Sequence, residues 1–185
     1  MSNQAEEDPM AKATIAVEDL YNIRDTYFPA NLDEKISKLQ KESDLALKLL
    51  DSVPSGHISL IQMSSASNSI SSPYKNGMEG EVVGSRPEQR KSPMQRATYE
   101  YLRGKILDVF PDYRKEAEDH LSKAVKLNPS LTDAWLCLGN CIWKKGDLSS
   151  AKNCFTLALS KGPNKKLLCQ LSMLERKMAQ GKALA

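Results

Sequence analysis

Two periods govern where apolar residues fall along this chain. Locally they return every three or four residues, the spacing of one face of an α-helix. On a larger scale, whole helical faces return after about 34 residues, the length of a two-helix repeat. The helical spacing first holds from Ala13, where Val17, Leu20, Tyr21 and then Tyr27 or Phe28 form a stripe that Pro29 ends. Arg24 and Asp25 fall on the outward face. Asn31 follows as a predicted N-cap, with Glu34 in the position of its reciprocal capping partner. Ile36, Leu39, Ala46 and Leu50 then mark a second helix reaching about Asp51. Residues 13–51 therefore read as an α-hairpin. Its stripe is too short for a coiled coil, and packing as a cap on the repeats is the expected use.

Both periods fail at the ends of this hairpin. Residues 1–12 are polar, acidic and broken by Pro9, and are expected to be disordered. Residues 52–93 hold the run Ser-Ser-Ala-Ser-Asn-Ser-Ile-Ser-Ser-Pro, then Asn76-Gly77 and Gly80. That composition predicts a flexible Ser-rich linker, too long for a loop inside a compact domain. Ser72-Pro73 and Ser92-Pro93 are ordinary in such a segment and need no phosphorylation reading.

The larger period takes over from Met94. In the later unit, residues 132–165, Trp135, Leu138, Gly139 and Ile142 share one helical face. Lys144-Lys145-Gly146-Asp147 supplies a turn, with Gly146 free to take a positive φ and Asp147 able to cap. Ala151, Phe155, Ala158 and Pro163 complete the unit, and Ala151 is the expected small contact against Gly139. The earlier unit, residues 94–131, repeats it: Ala117, Leu121, Ala124 and Pro129 each precede their counterparts by 34 residues. Gly104 precedes Gly139 by 35, so the first unit carries one extra residue near its turn, where Pro111 breaks the helix. This is the tetratricopeptide pattern, with Ile142 where the consensus has Tyr. Residues 166–185 predict one more, basic helix, a partial third repeat or a cap, with Leu167, Leu168, Leu171, Leu174 and Met178 apolar. The fold class is all-α: a helical hairpin followed by α-solenoid repeats.

Composition narrows the function. No run of 18 apolar residues exists in the 185, and the polar, acidic start does not resemble a secretory signal. The expected location is the cytoplasm, with the nucleus open. A net charge of +3 is too small to argue nucleic-acid binding by itself. Cys137 and Cys141 lie four apart on one helix, without a nearby His, so the four cysteines read as small apolar residues of a reducing compartment. His57 and His120 have no partner pattern. No nucleophile elbow, phosphate loop or carboxylate pair is present, and the chain is read as no enzyme, with no cofactor, no metal, no small-molecule substrate and no membrane.

Certain segments are more specific than the repeat itself. LYNIRDTYF at 20–28, LSKAVKLNPSLTDAW at 121–135, WKKGDLSSAKNCF at 143–155 and NKKLLCQLSMLERKM at 164–178 resemble the amino-terminal part of the tetratricopeptide repeat protein 5 family. Members of that family carry further repeats and an oligonucleotide/oligosaccharide-binding-type domain, and residues 53–80 look like an insertion relative to them. The resemblance thus implies a truncated or splice-variant relative. It also implies recognition without catalysis: engagement of the translating ribosome and the nascent tubulin peptide, leading to decay of tubulin messages. A nuclear, stress-responsive co-activator scaffold binding transcription cofactors is the alternative role. Two positions carry over. Lys126 corresponds to a lysine used against the ribosome, a point charge suited to rRNA phosphate. Arg176 corresponds to an arginine of the peptide groove, whose fork suits carboxylates and carbonyls. With Lys123 and Lys161, Lys126 would form a basic edge. Asn140 sits where a co-chaperone clamp for acidic peptides holds an amide, and it is the second candidate for peptide contact. Leu136, Tyr101 and Leu167 occupy positions where that clamp needs polar groups, so the generic co-chaperone reading ranks below the adaptor.

Overall fold

A computed structural model describes residues 8–53 and 92–183. They form seven α-helices and, among the described residues, no strand: α1 (Pro9–Thr26), α2 (Leu32–Asp51), α3 (Pro93–Leu107), α4 (Lys115–Leu127), α5 (Thr132–Lys145), α6 (Leu148–Leu159) and α7 (Lys165–Ala183). Successive helices pack pairwise into hairpins α1/α2, α3/α4 and α5/α6, with α7 against α6.

The first hairpin begins earlier than its apolar stripe does. The Asp8 carboxylate accepts from the Met10 N–H at 3.0 Å, and Pro9 takes the first helical position, where an N–H would have no partner. Pro9–Lys12 is therefore helical rather than part of a disordered arm, and residues 1–7 lie outside the described part. At the other end Tyr27 is the C-cap and Phe28 is 76% exposed, so neither extends the buried stripe of Ala13, Val17 and Leu20. Arg24 does not simply face outward. Its guanidinium stacks on the Tyr21 ring at 4.2 Å and bonds Asp25 at 2.7 Å. Asn31 caps α2 through the Asp33 N–H at 2.9 Å, but Glu34 closes no capping box, because its carboxylate takes the Tyr27 hydroxyl instead.

The stripe of α2 is Leu39, Ser43, Ala46 and Leu50. Ser43 Oγ is buried with no hydrogen-bond partner. A buried hydroxyl left unpaired costs about 1–3 kcal/mol, and alanine is the better helix former. Ser43→Ala is therefore expected to stabilise the chain by about 1 kcal/mol, read as a higher urea midpoint at unchanged slope. An unchanged or lower midpoint would refute this.

Of the expected linker, residues 52–93, only 54–91 lie outside the described part; Ser52 caps the end of α2 and Pro93 begins α3. At its far end sits a capping box that the sequence reading missed: Ser92 N–H donates to Gln95 Oε1 at 2.7 Å, and Gln95 N–H donates to Ser92 Oγ at 3.3 Å. Helix α3 ends at Leu107, with Asp108 as C-cap, so it stops ahead of the proline at 111. Gly146, at φ 93°, turns α5 into α6, and Asp147 caps α6 through the Ser150 N–H at 2.9 Å. A Cβ at Gly146 would meet nothing within 4 Å, so conformation rather than space requires glycine there.

The two repeat hairpins close on their inner glycines. A Cβ at Gly104 would lie 2.6 Å from Leu121 Cγ, and one at Gly139 would lie 2.3 Å from Phe155 Cε1. The Phe155 ring, not Ala151, fills the space that Gly139 leaves. Packing yields two apolar clusters. One joins α1, α2 and α3 through Val17, Leu20, Leu39, Leu50 and Ile106. The other runs from α4 to α7 through Leu121, Phe155, Leu167 and Leu174. Tyr101 packs against both. Leu168 is 51% exposed and takes no part in the core, unlike Leu167, Leu171, Leu174 and Met178 of α7.

Candidate protein-interaction surface

The first helices of the hairpins are linked by a row of side chains. Tyr21 on α1 donates its hydroxyl to the Lys105 carbonyl of α3 at 3.0 Å. The Lys105 ammonium lies over the Tyr21 ring at 4.9 Å and the Tyr101 ring at 5.6 Å. Tyr101 in turn stands beside the Cys137 thiol of α5. Burial raises the Tyr21 and Tyr101 hydroxyls well above the usual phenol range. Both stay neutral donors at any physiological pH. With Arg24 on the other side of Tyr21, the row is an interlocked spine suited to holding a surface in shape rather than to proton transfer.

At the end of these helices a second tie joins the repeats. Lys144 Nζ on α5 donates to the Asp108 carbonyl at 2.5 Å, to Asp108 Oδ1 at 2.9 Å and to the Phe110 carbonyl at 2.8 Å. Asp108 is nearly buried, its side chain 4% exposed. Desolvation raises its carboxyl above the usual range, and the Lys144 ammonium opposes that shift without cancelling it. Lys145 bonds Glu118 at 3.0 Å and lies 5.4 Å over the Tyr113 ring. The lysine pair of the α5–α6 turn is thus committed within the protein. The one sequence signal for this tie is Asp108 itself, a lone carboxylate in the run Ile106-Leu107-Asp108-Val109-Phe110.

The three candidate site residues fall on different helices. Lys126 is exposed in the last turn of α4, the second helix of its hairpin. Lys123, one turn earlier, is exposed as well. Asn140 is half-exposed in the middle of α5, and Arg176 is exposed on α7. Ala134, Leu138 and Cys141 of α5 find their packing counterparts in Leu167, Leu171 and Leu174, each 33 residues on. By that register Arg176 matches Trp143, one helical turn from Asn140. Trp143 turns to the core, so this match does not put Arg176 on one surface with Asn140, and Lys126 stands apart on α4. Trp143 belongs to the core side, edge-to-face with Phe155 at a centroid distance of 6.3 Å.

Other chemistry-bearing residues are structural. Cys137, Cys141 and Cys154 are buried free thiols, pushed up by desolvation to about 12, 12 and 11, and Cys169 is exposed. Deprotonated thiolate, the reactive form, is thus scarce at the buried three. His120 does have a partner, Glu100 at 2.5 Å, but the pair bridges α3 and α4 rather than opening on a cavity. Among the described residues no group of three His, Cys, Asp or Glu could hold a metal ion, and no helix is long and apolar enough to cross a membrane.

No protein-family profile matches the chain. Curated proteins do. Over 166 residues, 88% of this chain, it is 36% identical to tetratricopeptide repeat protein 5 of Homo sapiens, of which the matched stretch is 30%. The protein of the same name from Mus musculus is 48% identical over 98 residues, 53% of this chain and 21% of that one. The Bos taurus protein is 52% identical over 77 residues, 42% and 18% of the two chains. The chain spans less than a third of the length of these relatives. Similar to them over most of its own length, and built of helical hairpins with no strand among its described residues, the chain is a tetratricopeptide-repeat homologue of the amino-terminal part of tetratricopeptide repeat protein 5.

Proposed function

We propose that this chain is a non-catalytic adaptor of the tetratricopeptide repeat protein 5 type, which meets the translating ribosome and a nascent tubulin peptide in the control of tubulin messages in the cytoplasm. The observation that carries the reading is a contrast among lysines. Lys144 and Lys145 are spent on Asp108 and Glu118, whereas Lys126 is exposed, with no carboxylate within ion-pair distance among the described residues. An uncommitted ammonium at a helix end is the group that rRNA phosphate would select. Asn140 on α5 and Arg176 on α7 would supply an amide and a guanidinium fork to an extended peptide's backbone and carboxylates. In this reading the α4 edge meets the ribosome, while α5 and α7 meet its emerging chain.

The test is co-sedimentation with ribosomes translating a tubulin amino-terminus, at stated salt. Lys126→Glu is expected to weaken pelleting about tenfold and to lower the salt slope by about 1. Arg176→Ala should leave pelleting with ribosomes translating an unrelated chain unchanged while removing the preference for tubulin. Unaltered pelleting of a folded Lys126→Glu variant would sink the reading.

A further inference from the structure

A cleft of about 240 Å³ opens where the first helices end. Leu32, Ile36 and Leu39 of α2 form one wall, and Val109, Phe110 and Pro111 after α3 form the other. Three cations, Arg24, Lys35 and Lys144, also line it, and no carboxylate does. The cleft belongs to neither surface invoked above, since Lys126, Asn140 and Arg176 are not among its lining residues.

The three cations differ in what they have left to give. Lys144 is saturated by its three acceptors. Arg24 is shared with Asp25, a residue 59% exposed in its side chain. Lys35 has no carboxylate within ion-pair distance among the described residues, and it caps the Phe28 ring at 4.3 Å. Phe28 is 76% exposed and Leu32 64% exposed, so an apolar platform continues from the cleft onto the surface. The acids of the α2 first turn, Asp33 and Glu34, do not line the cleft, since Leu32, Lys35, Ile36 and Leu39 share the other helical face.

Size and charge together select the occupant. Small-molecule and cofactor sites usually hold about 300–1,000 Å³. This cleft is smaller, and it takes one large side chain rather than a cofactor. Its walls ask for an aromatic or branched aliphatic group, and its rim asks for carboxylates beside that group. We propose that the cleft docks a linear acidic segment of a partner protein, burying one bulky apolar side chain between α2 and Phe110 while neighbouring carboxylates meet Lys35 and Arg24.

The full chain is titrated into a fluorescein-labelled peptide, Asp-Glu-Leu-Phe-Glu-Asp, and anisotropy is followed at about 50 mM salt, where exposed charges are weakly screened. Saturable binding is expected. It should weaken at least tenfold when Leu-Phe becomes Ala-Ala, and again when the acids become amides. Lys35→Glu should weaken it at least tenfold, while the charge-matched control Lys41→Glu, on an exposed α2 position off the cleft face, stays within about twofold of the parent. Circular dichroism confirms that each variant folds. Absence of saturable binding, equal binding of the Ala-Ala peptide, or equal loss in both lysine variants would overturn the proposal. A dimer in sedimentation that Lys35→Glu dissolves would also overturn it, by assigning the cleft to a second copy of the chain.

Discussion

Lys144→Met is expected to destabilise the chain by about 3–5 kcal/mol, the cost of leaving one member of a buried ion pair without its partner. The ammonium satisfies three oxygens at once, and Asp108 is the buried one. Methionine keeps the stem and its packing, so the loss reports the charge and its hydrogen bonds rather than a cavity. The pH response carries the signature. Burial already raises the Asp108 carboxyl above its usual range. With a folded pKa above the unfolded one, the folded state holds the proton more tightly. Stability from this group therefore falls as pH rises from the usual carboxylate value through the raised one. Removing Lys144 removes the opposing charge and widens that window. Lowering the pH from about 7 to about 5 should return part of the stability lost by Lys144→Met, and little to the parent. Urea melts at both values decide it. A variant within about 1 kcal/mol of the parent would mean the pair is solvated and the tie between repeats is weak.

Gly139→Val is expected to cost about 3 kcal/mol or more, at the upper end of overpacking penalties. A Cβ there would sit 2.3 Å from one atom of the Phe155 ring and 2.6 Å from the next. The ring is fully buried and cannot swing to solvent without opening the core. The gain in helix propensity over glycine, about 1 kcal/mol at most, does not offset this. Pairing the change with Phe155→Ala should cost less than the sum of the two, because the clashing ring atoms are gone; leucine would not serve, since Leu121 already stands 2.6 Å from a Cβ at Gly104. The two substitutions should thus be far from additive. Additive thermal or urea shifts would show that the ring is not what glycine makes room for.

Much of this architecture is legible before any coordinates. The 34-residue period finds both repeat hairpins, because each turn and each inner glycine is fixed by local geometry: Gly146 needs its positive φ, and Gly104 and Gly139 need their missing Cβ. What escapes is whatever depends on a partner distant in sequence. Nothing local announces that Lys144 will reach back 36 residues to Asp108, or that Tyr21 will bond a carbonyl 84 residues away. Small competitions between neighbours escape too. Glu34 could have completed a box with Asn31, but the Tyr27 hydroxyl captured it. Phe155 outreached Ala151 to the Gly139 surface simply by being larger. The candidate site residues rest on other grounds. Lys126 and Arg176 enter through resemblance, and Asn140 through repeat position. The cleft beside Arg24 and Lys35 could not be read, because its walls come from α2 and from the turn after α3, with residues 52–92 and α3 itself between them.

Tyr101 touches both apolar clusters, and this has a bearing on how the molecule melts. A stack of repeats behaves as a row of units, each coupled only to its neighbours, and the row comes apart at its weakest coupling. Here the first hairpin is not a loosely added end piece, since its core takes in Leu102 and Ile106 of α3 and Tyr101 joins that core to the next. A grip on the far end, whether by a ligand or by another chain, is therefore transmitted as protection against opening along the row, to backbone amides that the gripping group never touches.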